Sequence, residues 1–149
     1  MATLNLPPYE LRTQSADGKL YVFDIIRRKY VALTPEEEVR QGFVHYLTGH
    51  LHYPASLMSN EVQLRVGRLS RRCDTVVYSR ELRPLMIVEY KAPSVSITPS
   101  VFAQISRYNI ALRVDWLVVS NGLLHYCLHM DYDRGAYDFV DGIPTYESL

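Results

Sequence analysis

Three side chains in one short stretch have the types and spacing for cation-assisted chemistry: Asp74, Glu89 and Lys91. Two runs, Arg71-Arg72-Cys73-Asp74-Thr75-Val76-Val77-Tyr78 and Leu85-Met86-Ile87-Val88-Glu89-Tyr90-Lys91, flank a polar turn and read as neighbouring strands. Residues two apart on a strand project from one face, so Glu89 and Lys91 place a carboxylate and an ammonium on one small patch. A register that sets Asp74 beside Glu89 would bring two carboxylates within reach of one divalent cation. Mg²⁺ sites are commonly built from one or two carboxylates, several waters and a substrate phosphate. Read as ordinary residues, Glu89 and Lys91 would be a same-face ion pair at a strand end and Asp74 a strand start. The charges extend an apolar run that reads as buried, and the carboxylates come from two strands, which favours the functional account.

The elements that must position these groups follow from local patterning. Thr98-Pro99 places a cap before a first-turn proline and opens a helix to about Arg113. Gln104 and Tyr108, four apart, share a face of it and could bond a phosphate, a water or Lys91; on an amphipathic helix they could equally be a satisfied boundary pair. Trp116-Leu117-Val118-Val119 reads as a strand buried on both faces, so the helix before it is a crossover packed on the sheet. Upstream, Thr34 can cap a helix with Pro35 at its first position and Glu37 at its third, a capping box. Residues 61–69 alternate as a strand with one apolar face, and Gly67 with Arg68, Arg71 and Arg72 turns the chain into the Asp74 strand. That arginine cluster is the best local basic patch and a candidate phosphate contact, or a soluble hairpin tip.

In order, the pieces Pro35-Glu36-Glu37-Glu38-Val39-Arg40-Gln41, Glu61, Arg72-Cys73-Asp74-Thr75-Val76-Val77-Tyr78, Glu89-Tyr90-Lys91-Ala92-Pro93, Gln104-Ile105-Ser106-Arg107-Tyr108-Asn109 and Ser120-Asn121-Gly122 resemble the PD-(D/E)XK nuclease superfamily. More closely, they resemble the nuclease domain at the N-terminus of type I restriction-enzyme R subunits. The resemblance implies an α/β, restriction-endonuclease-like core: a mixed central β-sheet flanked by helices, here with an N-terminal β extension. Residues 1–149 would form a single nuclease domain, with the extension at 1–33, the core at 34–130 and a C-terminal edge strand and tail at 131–149. It implies a DNA endonuclease in which Asp74, Glu89 and the Tyr90 carbonyl ligate Mg²⁺, with Mn²⁺ as a substitute. Lys91 would serve the attacking water, and Gln104 would position Lys91 or the substrate with Tyr108 in support. Glu61 and an acid of the first helix, Glu37 or Glu38, could approach the site; capping explains Glu37 without a metal, and an edge glutamate explains Glu61. The resembled domain is fused to an ATP-driven motor, whereas these 149 residues contain no Gly-x-x-x-x-Gly-Lys-[Ser/Thr] loop. The implied partners are therefore DNA and a motor or specificity subunit acting in trans. The alternatives are a non-catalytic module that binds nucleic acid or protein and keeps the nuclease fold, and a small-molecule hydrolase with the same metal site.

Composition bounds these readings. The length suits one domain, and a formal net charge of zero supplies no global basic field, so any DNA contact must come from local patches. Two cysteines, Cys73 and Cys127, without a framework pattern argue for free thiols in a reducing compartment. Neither a signal-like segment nor a run of about 20 apolar residues is present, and the expected location is the cytoplasm.

The flanks are less informative. Residues 1–17 read as an extended arm ending in a turn, followed by short strands at 19–24 and 29–33 with the basic run Arg27-Arg28-Lys29 at a solvated turn. After the Asn121-Gly122 turn, residues 123–130 return as a strand with His125, Cys127 and His129 on one face. These are zinc-ligand types, but a flat strand row splays them away from a tetrahedron. The last 18 residues read as an edge strand near 136–140 and a loose tail.

Overall fold

The structure, a computed structural model, describes residues 3–149, with the side chain of Tyr108 outside that description. Its framework is a six-stranded sheet in sequence order, β4 (Met58–Val66), β5 (Leu69–Tyr78), β6 (Pro84–Tyr90), β7 (Trp116–Ser120), β8 (His125–Asp131) and β9 (Ala136–Val140). Neighbours are antiparallel except β6 and β7, which run parallel with Glu89 opposite Val119. A parallel pair needs a long connection, and α2 (Pro99–Leu112) supplies it. The Thr98 hydroxyl accepts from the Val101 N–H and Arg113 closes the helix in the left-handed conformation. The α/β fold with a mixed sheet is thus as the sequence predicts.

Each face of the sheet buries its own apolar layer. Val39, Phe43, Val44 and Leu47 of α1 (Pro35–His50) pack against Met86, Val88, Tyr90 and Val118 on one side. Phe102, Ile105 and Leu112 of α2 pack against Val76, Ile87, Leu117 and Leu128 on the other. Successive strand residues alternate in direction, so Glu89 follows Ile87 onto the α2 side while Tyr90 goes to the α1 side.

A separate three-stranded meander, β1 (Thr13–Ala16), β2 (Lys19–Asp24) and β3 (Lys29–Ala32), precedes α1. Its first strand falls in the predicted extended arm; it pairs fully with β2, but all four of its residues are exposed, so no apolar alternation announces it. The Thr34 hydroxyl caps α1 by accepting from the Glu37 N–H at 3.1 Å. The reciprocal half of the predicted capping box does not form, because the Glu37 carboxylate accepts instead from Arg27 at 2.8 Å and Gln41 at 3.0 Å. The predicted loose tail is docked: Tyr146 is buried, its hydroxyl donates to the Tyr78 carbonyl at 2.9 Å, and its ring meets Tyr53 edge-on.

The N-terminal arm lies over α1 and the β7–β8 turn, with the Asn5 N–H donating to the Gly122 carbonyl at 2.8 Å. Gly122 has φ +86°, and a Cβ there would meet Leu4 Cδ2 at 2.8 Å and Val39 Cγ2 at 3.1 Å. Gly122→Ala is expected to destabilise by at least about 1–2 kcal/mol from the backbone alone. Gly49, in α1 with nothing near its missing Cβ, provides the contrast: Gly49→Ala should gain up to about 1 kcal/mol. Urea denaturation of the pair checks the sign of each.

Candidate active site

The β5–β6 ladder runs from Tyr78 opposite Pro84 to Thr75 opposite Val88 and stops there. Beyond it the Tyr90 N–H donates to the Asp74 carboxylate at 2.8 Å, so a side chain stands where the ladder would continue. On the other flank of Asp74, β4 is interrupted at the same level. Asn60 pairs with Thr75 and Val62 with Cys73, while Glu61 between them has φ +56°. Such interruptions re-aim side chains next to working sites. Asp74 is thereby placed beside Glu89, close enough for its negative charge to act on that group.

Glu89 is 7 % exposed. Burial first, and then the charge of Asp74, push its pKa up to about 8, against the pull of Arg71 and Lys91 in the other direction. Arg71 Nη2 lies 2.8 Å from Glu89 Oε1. Lys91 is half-buried; its N–H donates to the Ser120 carbonyl at 2.9 Å, fixing the strand end to β7, and its ammonium makes no ion pair or hydrogen bond among the described residues. Asp74, Glu89 and Lys91 therefore share one neighbourhood.

The supporting residues are placed differently. Gln104 is exposed on α2 and lines an open groove of about 650 Å³ with Leu69, Ser100, Arg107 and Ala111; no bond joins it to Lys91 among the described residues. The role expected of the Tyr108 side chain lies outside the described residues. Glu37 and Glu61 belong to a separate ionic network: Arg27 and Arg40 pair with Glu37, and Arg40 and Arg72 with Glu61. The arginine patch is split, with Arg71 turned in to Glu89, Arg72 turned out to Glu61, and Arg68 exposed at the β4–β5 tip. The row on β8 does not converge either. His125 bonds Ser120 and the Asn5 carbonyl, Cys127 is buried with its thiol pushed up to about 12 by burial, and His129 packs on Trp116.

Behind the acidic cluster runs a chain of buried polar groups that no local sequence pattern announces. The Tyr90 hydroxyl donates to Thr75 Oγ1 at 2.9 Å, Thr75 donates to Asn60 Oδ1 at 2.6 Å, and Asn60 Nδ2 donates to Asp24 Oδ2 at 2.9 Å. Asp24, fully buried, also accepts from the Ile26 and Arg27 N–H groups at 2.7 and 3.0 Å and from the Arg27 guanidinium. The N-terminal meander is thus tied to Thr75 and Tyr90, the neighbours of Asp74, Glu89 and Lys91. Asn60 in β4 and Thr75 in β5 stand among other polar strand residues, so neither is singled out by the sequence.

Among the described residues no group of three or more His, Cys, Asp or Glu side chains forms a metal site. The donors at hand are two carboxylates, Asp74 and Glu89, and the backbone oxygen of Tyr90. They are hard oxygens, and two of them belong to carboxyl groups close enough for the charge of Asp74 to act on Glu89. This set fits Mg²⁺, whose shell is usually completed by waters and substrate.

Residues 35–144 match the family described as the type I restriction enzyme R protein N terminus. No curated protein matches the chain. Among solved structures, a fragment assigned as an HsdR subunit of a type I restriction enzyme from Vibrio vulnificus YJ016 superposes with a TM-score of 0.54 at 19 % identity. The match covers 78 % of this chain and 24 % of that one, so this chain spans about a quarter of that structure's length and shares its fold. The chain belongs to the family of type I restriction enzyme R protein N-terminal regions.

Proposed function

We propose that the chain is a metal-dependent deoxyribonuclease module of the restriction–modification type, hydrolysing phosphodiester bonds at Asp74, Glu89 and Lys91. The observation that carries this reading is the meeting of two carboxylates from β5 and β6, at the point where their ladder ends, with a lysine one pleat away. Asp74, Glu89 and the Tyr90 carbonyl oxygen would hold Mg²⁺, or Mn²⁺ in its place, and the cation so held supplies Lewis-acid polarisation and a more acidic water. Lys91 orients the attacking water or, as the neutral amine, helps to take its proton, and as the ammonium offsets the charge that builds on the phosphate oxygens. Gln104 on α2 holds Lys91 or the substrate in position with Tyr108 in support, and Arg68, Arg71 and Arg72 on β5 and its tip meet backbone phosphates. The substrate is DNA, and a motor or specificity component acts together with the module. A cytoplasmic location suits the two free thiols, and no helix among the described residues is long and apolar enough to cross a membrane.

A second reading, a non-catalytic binding module on the same fold, is favoured by one contact: the Arg71 guanidinium already sits on Glu89. Incubation of supercoiled, linear and single-stranded DNA with the protein in Mg²⁺ or Mn²⁺ separates the two. Nicking or linearisation that disappears in Asp74→Ala is the expected result. Cleavage that survives in Asp74→Ala would refute the assigned site, and an inert wild type that still binds DNA without the cation would favour the module.

A further inference from the structure

The contact that the cleavage chemistry leaves unexplained is the ion pair between Arg71 and Glu89, whose side chains are 15 % and 9 % exposed. Arg72, the next residue, is 70 % exposed and turns to Glu61. The alternation of β5 therefore sends one guanidinium into the acidic cluster and the other to the rim. Withdrawing a guanidinium from water is unfavourable unless it offsets a charge. Here it meets Glu89, on which the charge of neighbouring Asp74 also acts. The Glu89 oxygen that Arg71 occupies is also one that a divalent cation needs.

We propose that Arg71 is a built-in counter-ion of the Asp74–Glu89 pair, which a divalent cation must displace and which a nucleic-acid phosphate then takes up, so that cation and DNA bind with positive coupling. This rests on reading Asp74 and Glu89 as cation ligands. The guanidinium fork fits a carboxylate and a phosphate equally well, so the exchange leaves Arg71 partnered in both states. Coupling between two sites is reciprocal: whatever Arg71 release adds to DNA affinity, DNA adds to cation affinity.

Calorimetric titration of Mn²⁺ into the full chain without DNA tests the first half, using wild type, Arg71→Gln, Arg71→Ala, Arg72→Ala and Asp74→Ala. Both Arg71 variants are expected to bind Mn²⁺ about tenfold tighter, within the range of measured site couplings, while Arg72→Ala stays within about twofold of wild type. Fluorescence anisotropy of a labelled DNA duplex, in Ca²⁺ and in EDTA, tests the second half. Ca²⁺ should tighten DNA binding by the wild type, and that gain should vanish in Arg71→Gln. Asp74-dependent Mn²⁺ binding that neither Arg71 variant strengthens would overturn the counter-ion role and leave the metal reading standing. An Arg72→Ala gain equal to that of Arg71→Gln would also overturn it, by reducing the effect to net charge. Loss of the folded circular-dichroism spectrum in both Arg71 variants would overturn it as well, because a counter-ion meant to be displaced cannot be indispensable to the fold. Absence of any Asp74-dependent Mn²⁺ binding would overturn both readings together.

Discussion

Lys91→Ala is expected to lower the rate of DNA cleavage by about 10²–10⁴-fold, the usual contribution of a positioned proton-transfer group. Stability should scarcely move, by about 0.5 kcal/mol or less, because the Lys91 ammonium holds no ion pair or hydrogen bond among the described residues that its removal would break. That combination, a large kinetic loss in a folded protein, separates a chemical role from a structural one. Lys91→Arg refines it: the guanidinium keeps the positive charge but never gives up its proton. If Lys91 acts mainly by charge, the arginine variant recovers much of the rate; if it moves a proton, it does not. Single-turnover cleavage of a plasmid, with thermal denaturation of each variant alongside, reads both quantities. A Lys91→Ala protein that cuts at the wild-type rate would remove Lys91 from the mechanism.

Asp24→Ala is expected to have the largest effect on stability, a loss of about 3–5 kcal/mol, the range for deleting one partner of a buried ionic pair. The carboxylate is fully buried and accepts from two backbone N–H groups, the Asn60 amide and the Arg27 guanidinium; its removal takes this acceptor from all of them, and only the guanidinium keeps another, Glu37. Burial alone would raise the pKa of Asp24; the bonds from Asn60, Arg27 and Ile26 outweigh it and hold the group below its ordinary 3.8. A carboxyl whose folded pKa is depressed stabilises the fold above its unfolded pKa and loses that contribution as the pH falls through the folded value. The gap between wild type and Asp24→Ala should therefore be widest near neutrality and narrow in acid below pH 3.8. Urea titrations across that interval measure it, and a gap independent of pH would mean that the charge of Asp24 contributes nothing.

What could be read from the residues alone was whatever local chemistry dictates. Thr34-Pro35 and Thr98-Pro99 announced both helix starts, and the apolar runs at residues 85–88 and 116–119 announced buried strands with a crossover helix before the second. The acidic groups and the lysine drew notice because charge at the end of a buried run needs a reason. Hidden from that reading was everything fixed by partners far away in sequence. Glu37 seemed destined for its own helix terminus, yet Arg27 and Gln41 claim it. Arg71 and Arg72 looked alike until the pleat sent them to different glutamates. The left-handed turn at Glu61 has no glycine to signal it. β1 carries no buried residue, and the docking of Tyr146 depends on Tyr53 and Tyr78, which a tail rich in polar residues does not foretell.

The family match begins at residue 35, whereas the polar thread that steadies Tyr90 starts at Asp24. A fragment cut at the bounds of the family match would discard the β2–β3 hairpin and leave the Asn60 amide to find water inside a packed wall. The smallest self-sufficient piece is therefore larger than the one the family match outlines.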